Sequence, residues 1–256
     1  AMETPARFLF IGTGRPIEAR MVEPEGFERK VLKTSGLKGQ GPVGGLKAIY
    51  RCLASVFEAR TIIKSFKPDL CFGAGGYVTV PVGLAAKSCG VPLVIHEQNS
   101  RPGLSNKVLG RFADKIMLGF EDAASAFPGG KSVFTGNPVR AEIASLGGRP
   151  YEPHRPLVIS VTGGSQGASG LNRLVSSALI LLKKEGFDFQ VFHQAGVQDE
   201  AKVRAAYEEA ELKAEVADFY QDMAAFYARS DLVIGRAGAI TLAELTAAGL
   251  PSVLVL

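Results

Sequence analysis

Two glycine-rich turns, one in each half of the chain, are the clearest candidates for a ligand site. Residues 73–77 are Gly-Ala-Gly-Gly-Tyr and residues 163–168 are Gly-Gly-Ser-Gln-Gly-Ala, and each comes after an apolar run and precedes helical spacing. Glycine lets backbone N–H groups approach a ligand, and the N-terminus of the next helix suits a phosphate. Taken singly, each turn is better explained by close packing of strand against helix. Together they predict nucleotide binding.

The residues that follow the two turns exclude the common motifs for ATP hydrolysis and for dinucleotide binding. Neither turn leads into the Lys-Ser or Lys-Thr pair of an ATPase phosphate loop, and neither matches the full dinucleotide fingerprint. ATP hydrolysis and hydride transfer are therefore disfavoured. The sequence has no Asp-x-Asp motif, and its three cysteines are too widely spaced for a ligand pair, so we expect no bound metal and no cofactor.

A second polar cluster closes an apolar run in the first half. His96, Glu97 and Asn99 come directly after Leu93-Val94-Ile95. Ligands of parallel sheets bind at the carboxyl ends of the strands, so this position predicts the floor of a site rather than a core. His193, at the end of a later apolar run, is expected to be a strand-end residue, and His154 a linker residue.

Strands alternate with helices along both halves, which predicts parallel, doubly wound sheets. We predict an α/β protein of two Rossmann-like domains facing across a cleft: a first domain over 1–144, a linker over 145–156 and an incomplete second domain over 157–256. The predicted strands cover 7–12, 27–33, 70–73, 92–96, 115–118, 157–162, 189–194, 215–217, 232–235 and 252–256. The predicted helices cover 43–66, 80–89, 104–111, 170–185, 199–211, 223–228 and 239–248.

Charge is distributed unevenly along a chain of ordinary globular composition. The net charge is +4, but residues 1–140 carry 19 basic and 11 acidic side chains, whereas residues 141–256 are net acidic. A basic half predicts an anionic surface or substrate as its partner. The basic residues are spread out and the chain lacks tryptophan, so nucleic acid is disfavoured. There is no apolar run of spanning length and no signal peptide.

Six motifs together resemble one family. The strings GGYVTVP (75–81), HEQN (96–99), GNPVR (136–140), GGSQGA (163–168), the stretch 218–223 and RAGAITLAEL (236–245) have the order and spacing seen in the MurG family of bacterial N-acetylglucosaminyltransferases. The resemblance covers essentially the whole chain. It implies the GT-B fold and inverting transfer of GlcNAc from UDP-GlcNAc to the C4 hydroxyl of the MurNAc group of lipid I, giving lipid II in peptidoglycan synthesis.

The resemblance also implies the site residues. Glu244 corresponds to the carboxylate that accepts from the ribose hydroxyls, a surface carboxylate being the alternative. Arg140 corresponds to a group on the diphosphate, with an interdomain salt bridge as the alternative. The full set implied for UDP-GlcNAc is Arg140, Ser165, Gln166, Tyr220, Met223, Ala239, Ile240, Thr241 and Glu244. The set implied for the acceptor is Gly75, Gly76, Tyr77, His96 and Asn99, and the catalytic set is His96, Glu97 and Arg140.

The chain departs from the family pattern at both ends. The glycine-rich loop that ends in a histidine and the later glutamine pair have no counterpart here. We therefore expect most of the UDP site and part of the acceptor site, and we do not expect full activity from these residues alone. A UDP-GlcNAc 2-epimerase and a non-catalytic, membrane-associated UDP-sugar-binding subunit stay open as alternatives. HEQN with the later Asn106-Lys107 favours the lipid I enzyme over the epimerase.

A membrane patch is predicted on helix 43–66. Apolar residues recur there at spacings of three and four beside basic residues, and lipid I resides in an anionic membrane. About half of this stripe is instead expected to pack on the sheet. We predict peripheral binding at the cytoplasmic face of the bacterial inner membrane. The patch comprises Leu46, Lys47, Ile49, Tyr50, Arg51, Leu53 and Phe57.

Overall fold

The computed structural model describes residues 6–32, 42–148, 150–164 and 167–255, apart from the side chains of 17 and 42–52. The chain divides after Gly136 into two compact units. In the described part of the chain, no helix has both the length and the apolar character needed to cross a membrane.

The first unit is built from parallel strands alternating with helices. Its elements are β1 (Leu9–Gly12), α1 (Pro16–Val22), β2 (Glu28–Val31), α2 (Pro42–Phe66), β3 (Cys71–Gly73), α3 (Thr79–Ser88), β4 (Leu93–Glu97), α4 (Leu104–Leu109), β5 (Lys115–Leu118), a 3-10 helix (Glu121–Ala126) and β6 (Ser132–Phe134). Strands β3, β4, β5 and β6 form one parallel sheet in chain order, and β1 pairs with β2 in a separate parallel sheet. The sequence predicts a single sheet here, and the structure has two. A shared apolar cluster joins them, because Ile11 of β1 and Cys71 of β3 both pack on a core that includes Ala59 of α2 and Ala85 of α3.

The second unit is a doubly wound parallel sheet. Its elements are α5 (Ala141–Ala144), β7 (Leu157–Thr162), α6 (Ser169–Lys184), β8 (Phe189–Gln194), α7 (Glu200–Glu209), β9 (Ala214–Ala217), α8 (Met223–Ala228), β10 (Leu232–Arg236), α9 (Ala239–Ala248) and β11 (Ser252–Val255). The strand order is β11-β10-β7-β8-β9, and every pair is parallel. The central strand β7 is buried over most of its length, which explains its continuous apolar sequence. Leu171, Val175 and Leu179 of α6 recur every four residues and pack on it.

The boundary between the units differs from the predicted one. Helix α5 belongs to the second unit, because Ile143 is fully buried in a cluster with Phe226 and Leu245. Part of the segment predicted as a linker is also fixed there. The Tyr151 hydroxyl donates to the carbonyl of Asp231, and the carboxylate of Asp231 accepts from the backbone N–H of His154 at 3.0 Å. The limits of 144 for the first domain and 145–156 for the linker are therefore corrected.

Candidate active site

The strand order of the second unit places a crevice between two neighbouring strands. From β7 the chain proceeds outward through β8 and β9, then returns to the other side of β7 as β10 and β11. The winding direction therefore reverses between β7 and β10. In open parallel sheets, ligands bind at this switch point, outside the carboxyl ends of the strands. The loop 163–168 comes after β7 and helix α9 comes after β10, so the glycine turn and the residues 239–241 implied for UDP-GlcNAc lie at the same edge.

The glycines of the loop after β7 have conformations that other residues resist. Gly164 and Gly167 have φ values of +81° and +71°. A Cβ on Gly167 would lie 2.7 Å from the carbonyl oxygen of Ala195, so this loop passes directly against the end of β8. Beside it is a cavity of about 500 Å³. The cavity is lined by Gly163, Gly164, Gly167, Ser169, Ala195, Gln198, Asp199 and Arg236.

The first backbone N–H groups of helix α9 have no acceptor within the helix. Gly238 is its extended N-cap, and the helical ladder starts with the N–H of Leu242 bonding to the carbonyl of Gly238. The N–H groups of Ala239, Ile240 and Thr241 precede that bond and therefore have no acceptor within the helix. Together with the helix dipole, they form a position that favours negative charge.

Glu244 is buried in the second turn of α9 rather than exposed on the surface of the unit. The residue is 9% exposed, and both of its carboxylate oxygens have partners. Tyr227 donates its hydroxyl to Oε2 at 3.0 Å, and the Arg140 guanidinium lies 3.3 Å from Oε1. Burial, and then the charge of Glu244, raise the pKa of Tyr227, so its hydroxyl stays a donor. The Arg140–Glu244 pair lies within the second unit, and the Arg140 side chain is about half exposed.

Tyr220 lies where the loop after β9 returns to the sheet. Its backbone N–H donates to Oε1 of Gln194 at 3.0 Å, and its hydroxyl donates to Glu215 at 2.9 Å. Burial, and then the hydrogen bond to Glu215, raise the pKa of Tyr220. Met223 begins α8 and packs with Tyr220 on the same apolar cluster. These two members of the set implied for UDP-GlcNAc are therefore neighbours.

In the first unit, the loops after β3 and β4 meet at one sheet edge. Gly75 and Gly76 have φ values of +90° and +85°. The Thr79 hydroxyl donates to the carbonyl of Gly75, and the side-chain amide of Gln98 donates to the carbonyl of Ala74 at 3.0 Å. The two predicted acceptor loops are thus hydrogen-bonded to each other. Tyr77 and Asn99 at this edge are exposed.

Glu97 organises this edge from within. Its side chain is buried and accepts hydrogen bonds at 2.9–3.1 Å from the backbone N–H groups of Asn99 and Gly103 and from the side-chain amides of Asn99 and Asn106. Each of its two oxygens thus has two donors, which tie Glu97 to residues 99–106. Glu97 therefore holds the loop 98–106, and its catalytic role stays a prediction.

The neighbouring His96 has a defined tautomer. Its Nε2 lies 3.1 Å from the carbonyl oxygen of Gly136, and the ring is buried. A carbonyl only accepts, so Nε2 carries the proton and a neutral ring leaves Nδ1 as an acceptor.

Comparison with known proteins identifies the family of the chain. Residues 3–118 match the glycosyltransferase family 28 N-terminal domain, and residues 158–256 match the family 28 C-terminal domain. A protein of Geotalea uraniireducens, named UDP-N-acetylglucosamine–N-acetylmuramyl-(pentapeptide) pyrophosphoryl-undecaprenol N-acetylglucosamine transferase, is 41% identical over 94% of this chain and 67% of its own length. The Azotobacter vinelandii protein of the same name is 44% identical over 96% of this chain and 68% of its length. The chain belongs to the MurG family.

A solved structure supports the same assignment. The crystal structure of Acinetobacter baumannii MurG matches with a TM-score of 0.69 and 33% identity, over 97% of this chain and 70% of that one. The predicted family and the GT-B fold class are confirmed. The chain spans about two thirds of the length of these MurG relatives.

Most of the residues that the MurG resemblance implies fall into two groups, one in each unit. One group lies at the carboxyl edge of the second sheet and comprises Arg140, Glu244, Tyr220, Met223 and the start of α9. The other group lies at the carboxyl edge of the sheet β3–β6 in the first unit and comprises Gly75, Gly76, Tyr77, His96 and Asn99. Ser165 and Gln166 lie outside the described residues, as do the side chains of Leu46, Lys47, Ile49, Tyr50 and Arg51.

Sequence reasoning missed the residues that support these sites. Tyr227 and Gln194 contact predicted site residues, and Arg236 lines the cavity beside the glycine loop. Gln194 and His193 are polar residues at the carboxyl end of a buried parallel strand, a signal that could have marked them. Nothing in the sequence pairs Tyr227 with Glu244. Among the described residues, no three His, Cys, Asp or Glu side chains are grouped to hold a metal ion.

Proposed function

We propose that the chain transfers GlcNAc from UDP-GlcNAc to the C4 hydroxyl of MurNAc in undecaprenyl-pyrophosphoryl-MurNAc-pentapeptide. The observation that carries the proposal is the crevice at the β7–β10 switch point, where a glycine loop, the N-terminus of α9 and the buried carboxylate of Glu244 converge in a chain of the MurG family. This set supplies donors for a diphosphate and an acceptor for a sugar diol.

The donor binds along the carboxyl edge of the second sheet. Its diphosphate accepts from the N–H groups of residues 239–241 and from the glycine loop, which includes Ser165 and Gln166. Glu244 accepts from the two ribose hydroxyls, and Tyr227 fixes its orientation. The N–H of Tyr220 is already bonded to Gln194, so the uracil N3–H donates to the Tyr220 carbonyl. Met223 packs beside the base.

The acceptor binds at the carboxyl edge of the first sheet. The pyrophosphate of the lipid accepts from the backbone of Gly75, Gly76 and Tyr77, whose positive-φ glycines expose N–H groups. His96 and Asn99 lie on the neighbouring loop and hold the sugar. Glu97 positions this loop.

The transfer is a single inverting displacement. The acceptor O4 forms a bond to the anomeric carbon, the bond from that carbon to the β-phosphate oxygen breaks, and UDP leaves with the electron pair. The proton of the C4 hydroxyl passes to a base, for which Nδ1 of His96 is the candidate in the first unit. Backbone N–H groups and the Arg140 guanidinium stabilise the charge that develops on the leaving diphosphate.

Membrane association is part of the proposal. Leu53 and Phe57 are 55% and 68% exposed, one helical turn apart on α2, whereas Ala59 and Ile63 on the same helix are buried. Two exposed apolar side chains in a basic half of the chain suit the surface of an anionic membrane, and we place the protein at the cytoplasmic face of the bacterial inner membrane.

Vesicle co-sedimentation tests the membrane assignment. We expect salt-sensitive binding to anionic but not zwitterionic vesicles, reduced by Lys47→Glu/Arg51→Glu and by Leu53→Ser/Phe57→Ser. The matched control, Leu181→Ser/Phe187→Ser, changes two residues of similar exposure in the second unit and should bind as wild type does. Equal binding by all variants would refute the assignment of these α2 residues to the membrane.

A transfer assay tests the reaction. Labelled UDP-GlcNAc and a short-chain lipid I analogue should give labelled disaccharide and UDP, and an analogue lacking the C4 hydroxyl should give neither. Glu244→Gln should lose transfer, and Glu209→Gln, an exposed carboxylate on α7, should keep it. Conversion of UDP-GlcNAc to its 2-epimer without acceptor would replace the proposal with an epimerase.

A further inference from the structure

Gln194 joins the two loops at opposite ends of the proposed donor site. It is the last residue of β8 and is only 2% exposed. Its Nε2 donates to the carbonyl oxygen of Gly164 at 3.1 Å, in the glycine loop, and lies 3.3 Å from the Thr162 hydroxyl. Its Oε1 accepts from the backbone N–H of Tyr220 at 3.0 Å.

The orientation of this amide is forced by its partners. The Gly164 carbonyl only accepts, so it requires the NH₂ side of Gln194, and the Tyr220 N–H only donates, so it requires the oxygen. Neither a carboxylate nor an apolar side chain of this size can satisfy both. Packing alone would favour an apolar residue at the end of a buried parallel strand. The amide is therefore explained by the two loops that it connects.

We infer that Gln194 is a positioning residue that couples nucleobase binding to diphosphate binding. The inference rests on the proposed function, which assigns the loop 163–168 to the diphosphate and Tyr220 to the base. Because one rigid amide fixes both loops, ordering either loop with a ligand orders the other. A nucleoside diphosphate is then bound more tightly than the separate affinities of its base and phosphate parts imply.

Two substitutions separate the halves of the coupling. Gln194→Glu keeps an acceptor for the Tyr220 N–H but loses the donor to Gly164, whereas Gln194→Met loses both. We expect Gln194→Met to weaken uridine and UDP binding by about tenfold or more, and Gln194→Glu to weaken UDP while holding uridine within about twofold of wild type. Gln190→Met, earlier in β8 and half-buried, is the matched control and should leave both affinities unchanged.

A purely structural role predicts the reverse order. A buried carboxylate destabilises the fold more than methionine does, so uridine binding would then fall further in Gln194→Glu. That result, or unchanged affinities in both variants, would overturn the inference. The proposed donor site would still stand in that case, provided that the wild-type protein binds UDP. No UDP binding by the wild type would overturn the proposed function as well.

Hydrogen exchange of the wild-type protein tests the coupling without relying on a variant that folds. Uridine alone should slow exchange in the peptide that covers 163–168, and inorganic pyrophosphate alone should slow exchange at Tyr220. Each probe would then protect a loop that it does not touch. Protection confined to the contacted loop would refute the coupling.

Discussion

Replacing Glu244 by glutamine is the sharpest probe of the donor site, because the surrounding contacts predict which interactions survive. Tyr227 needs an acceptor at 3.0 Å, and the amide oxygen of glutamine supplies one. Alanine supplies none and leaves a buried hydroxyl unpaired. The two substitutions therefore remove the same charge but differ in their effect on the fold.

The magnitudes depend on these contacts. An unpaired buried hydroxyl costs about 1–3 kcal/mol, so Glu244→Ala should lower the free energy of unfolding by that amount and Glu244→Gln by less. The Arg140 pair adds little, since that side chain is about half exposed and such pairs contribute roughly 0–1 kcal/mol. Hydrogen bonds from a ribose diol to a carboxylate contribute about 1.5–3 kcal/mol, which corresponds to a loss of about ten- to a hundredfold in UDP affinity.

Calorimetry with UDP and 2′,3′-dideoxy-UDP isolates the diol. The wild-type protein should prefer UDP by about ten- to a hundredfold, whereas Glu244→Gln should bind both ligands within about threefold of each other. Thermal unfolding in parallel should show the glutamine variant close to wild type and the alanine variant destabilised. A glutamine variant that retains the full preference for UDP would refute the assignment of Glu244 to the ribose.

Three further changes have definite outcomes. Arg140→Lys should lower kcat more than it weakens UDP binding, because lysine keeps the charge but loses the planar fork; steady-state kinetics beside calorimetry will show whether the two effects separate. Burial lowers the pKa of His193 from about 6.5 to about 4. Between these pH values the unfolded chain binds a proton at His193 and the folded protein does not. The contribution of His193 to stability, roughly 3 kcal/mol, should be complete above pH 6.5 and lost as the pH falls toward 4, and denaturant titrations of His193→Gln should lack this slope. Gly167→Ala should destabilise the loop after β7, since its Cβ would meet the Ala195 carbonyl at positive φ, whereas Gly170→Ala, which has open space, should not; thermal unfolding and UDP titration of both variants decide it.

The positions of the main elements could be predicted because their signals are local. Strand β7 and helix α9 were predicted with the bounds that the structure has, since a continuous apolar run and a glycine N-cap mark them. The glycine loop was predicted from the same pattern. Placing loop and helix at one crevice needed only the rule that parallel sheets bind ligands where their winding reverses.

Elements without such signals were missed. Helices α1 and α5 have seven and four residues, too short for a recognisable apolar period, and β6 has three. The boundary between the two units was misplaced because the short helix α5 was missed. The boundary was predicted at 144 because residues 145–156 have the composition of a linker, yet the buried side chain of Ile143 packs α5 on the second unit, a contact between residues about a hundred positions apart.

Glu97 shows that the surroundings of a carboxylate cannot be read from its residue type. A carboxylate beside a histidine at a strand end is typical of a catalytic pair, but its role depends on which donors face it. The donors come from residues up to nine positions later in the chain, and they saturate both oxygens. The fold thus makes Glu97 a support for the loop that carries Asn99.

The end of β8 shows how the fold supports such a site with buried polar groups. His193 and Gln194 are consecutive, so their side chains lie on opposite faces of the sheet. On one face, His193 bonds to Tyr207 and to Asn172, whose amide also holds Asp199 at the start of α7. On the other face, Gln194 holds the two donor loops. An apolar residue at position 194 would remove the acceptor of the Tyr220 N–H and one of the donors to the Gly164 carbonyl. The two polar residues therefore give up some hydrophobic burial, and His193 some stability in acid, for a fixed geometry at the carboxyl edge.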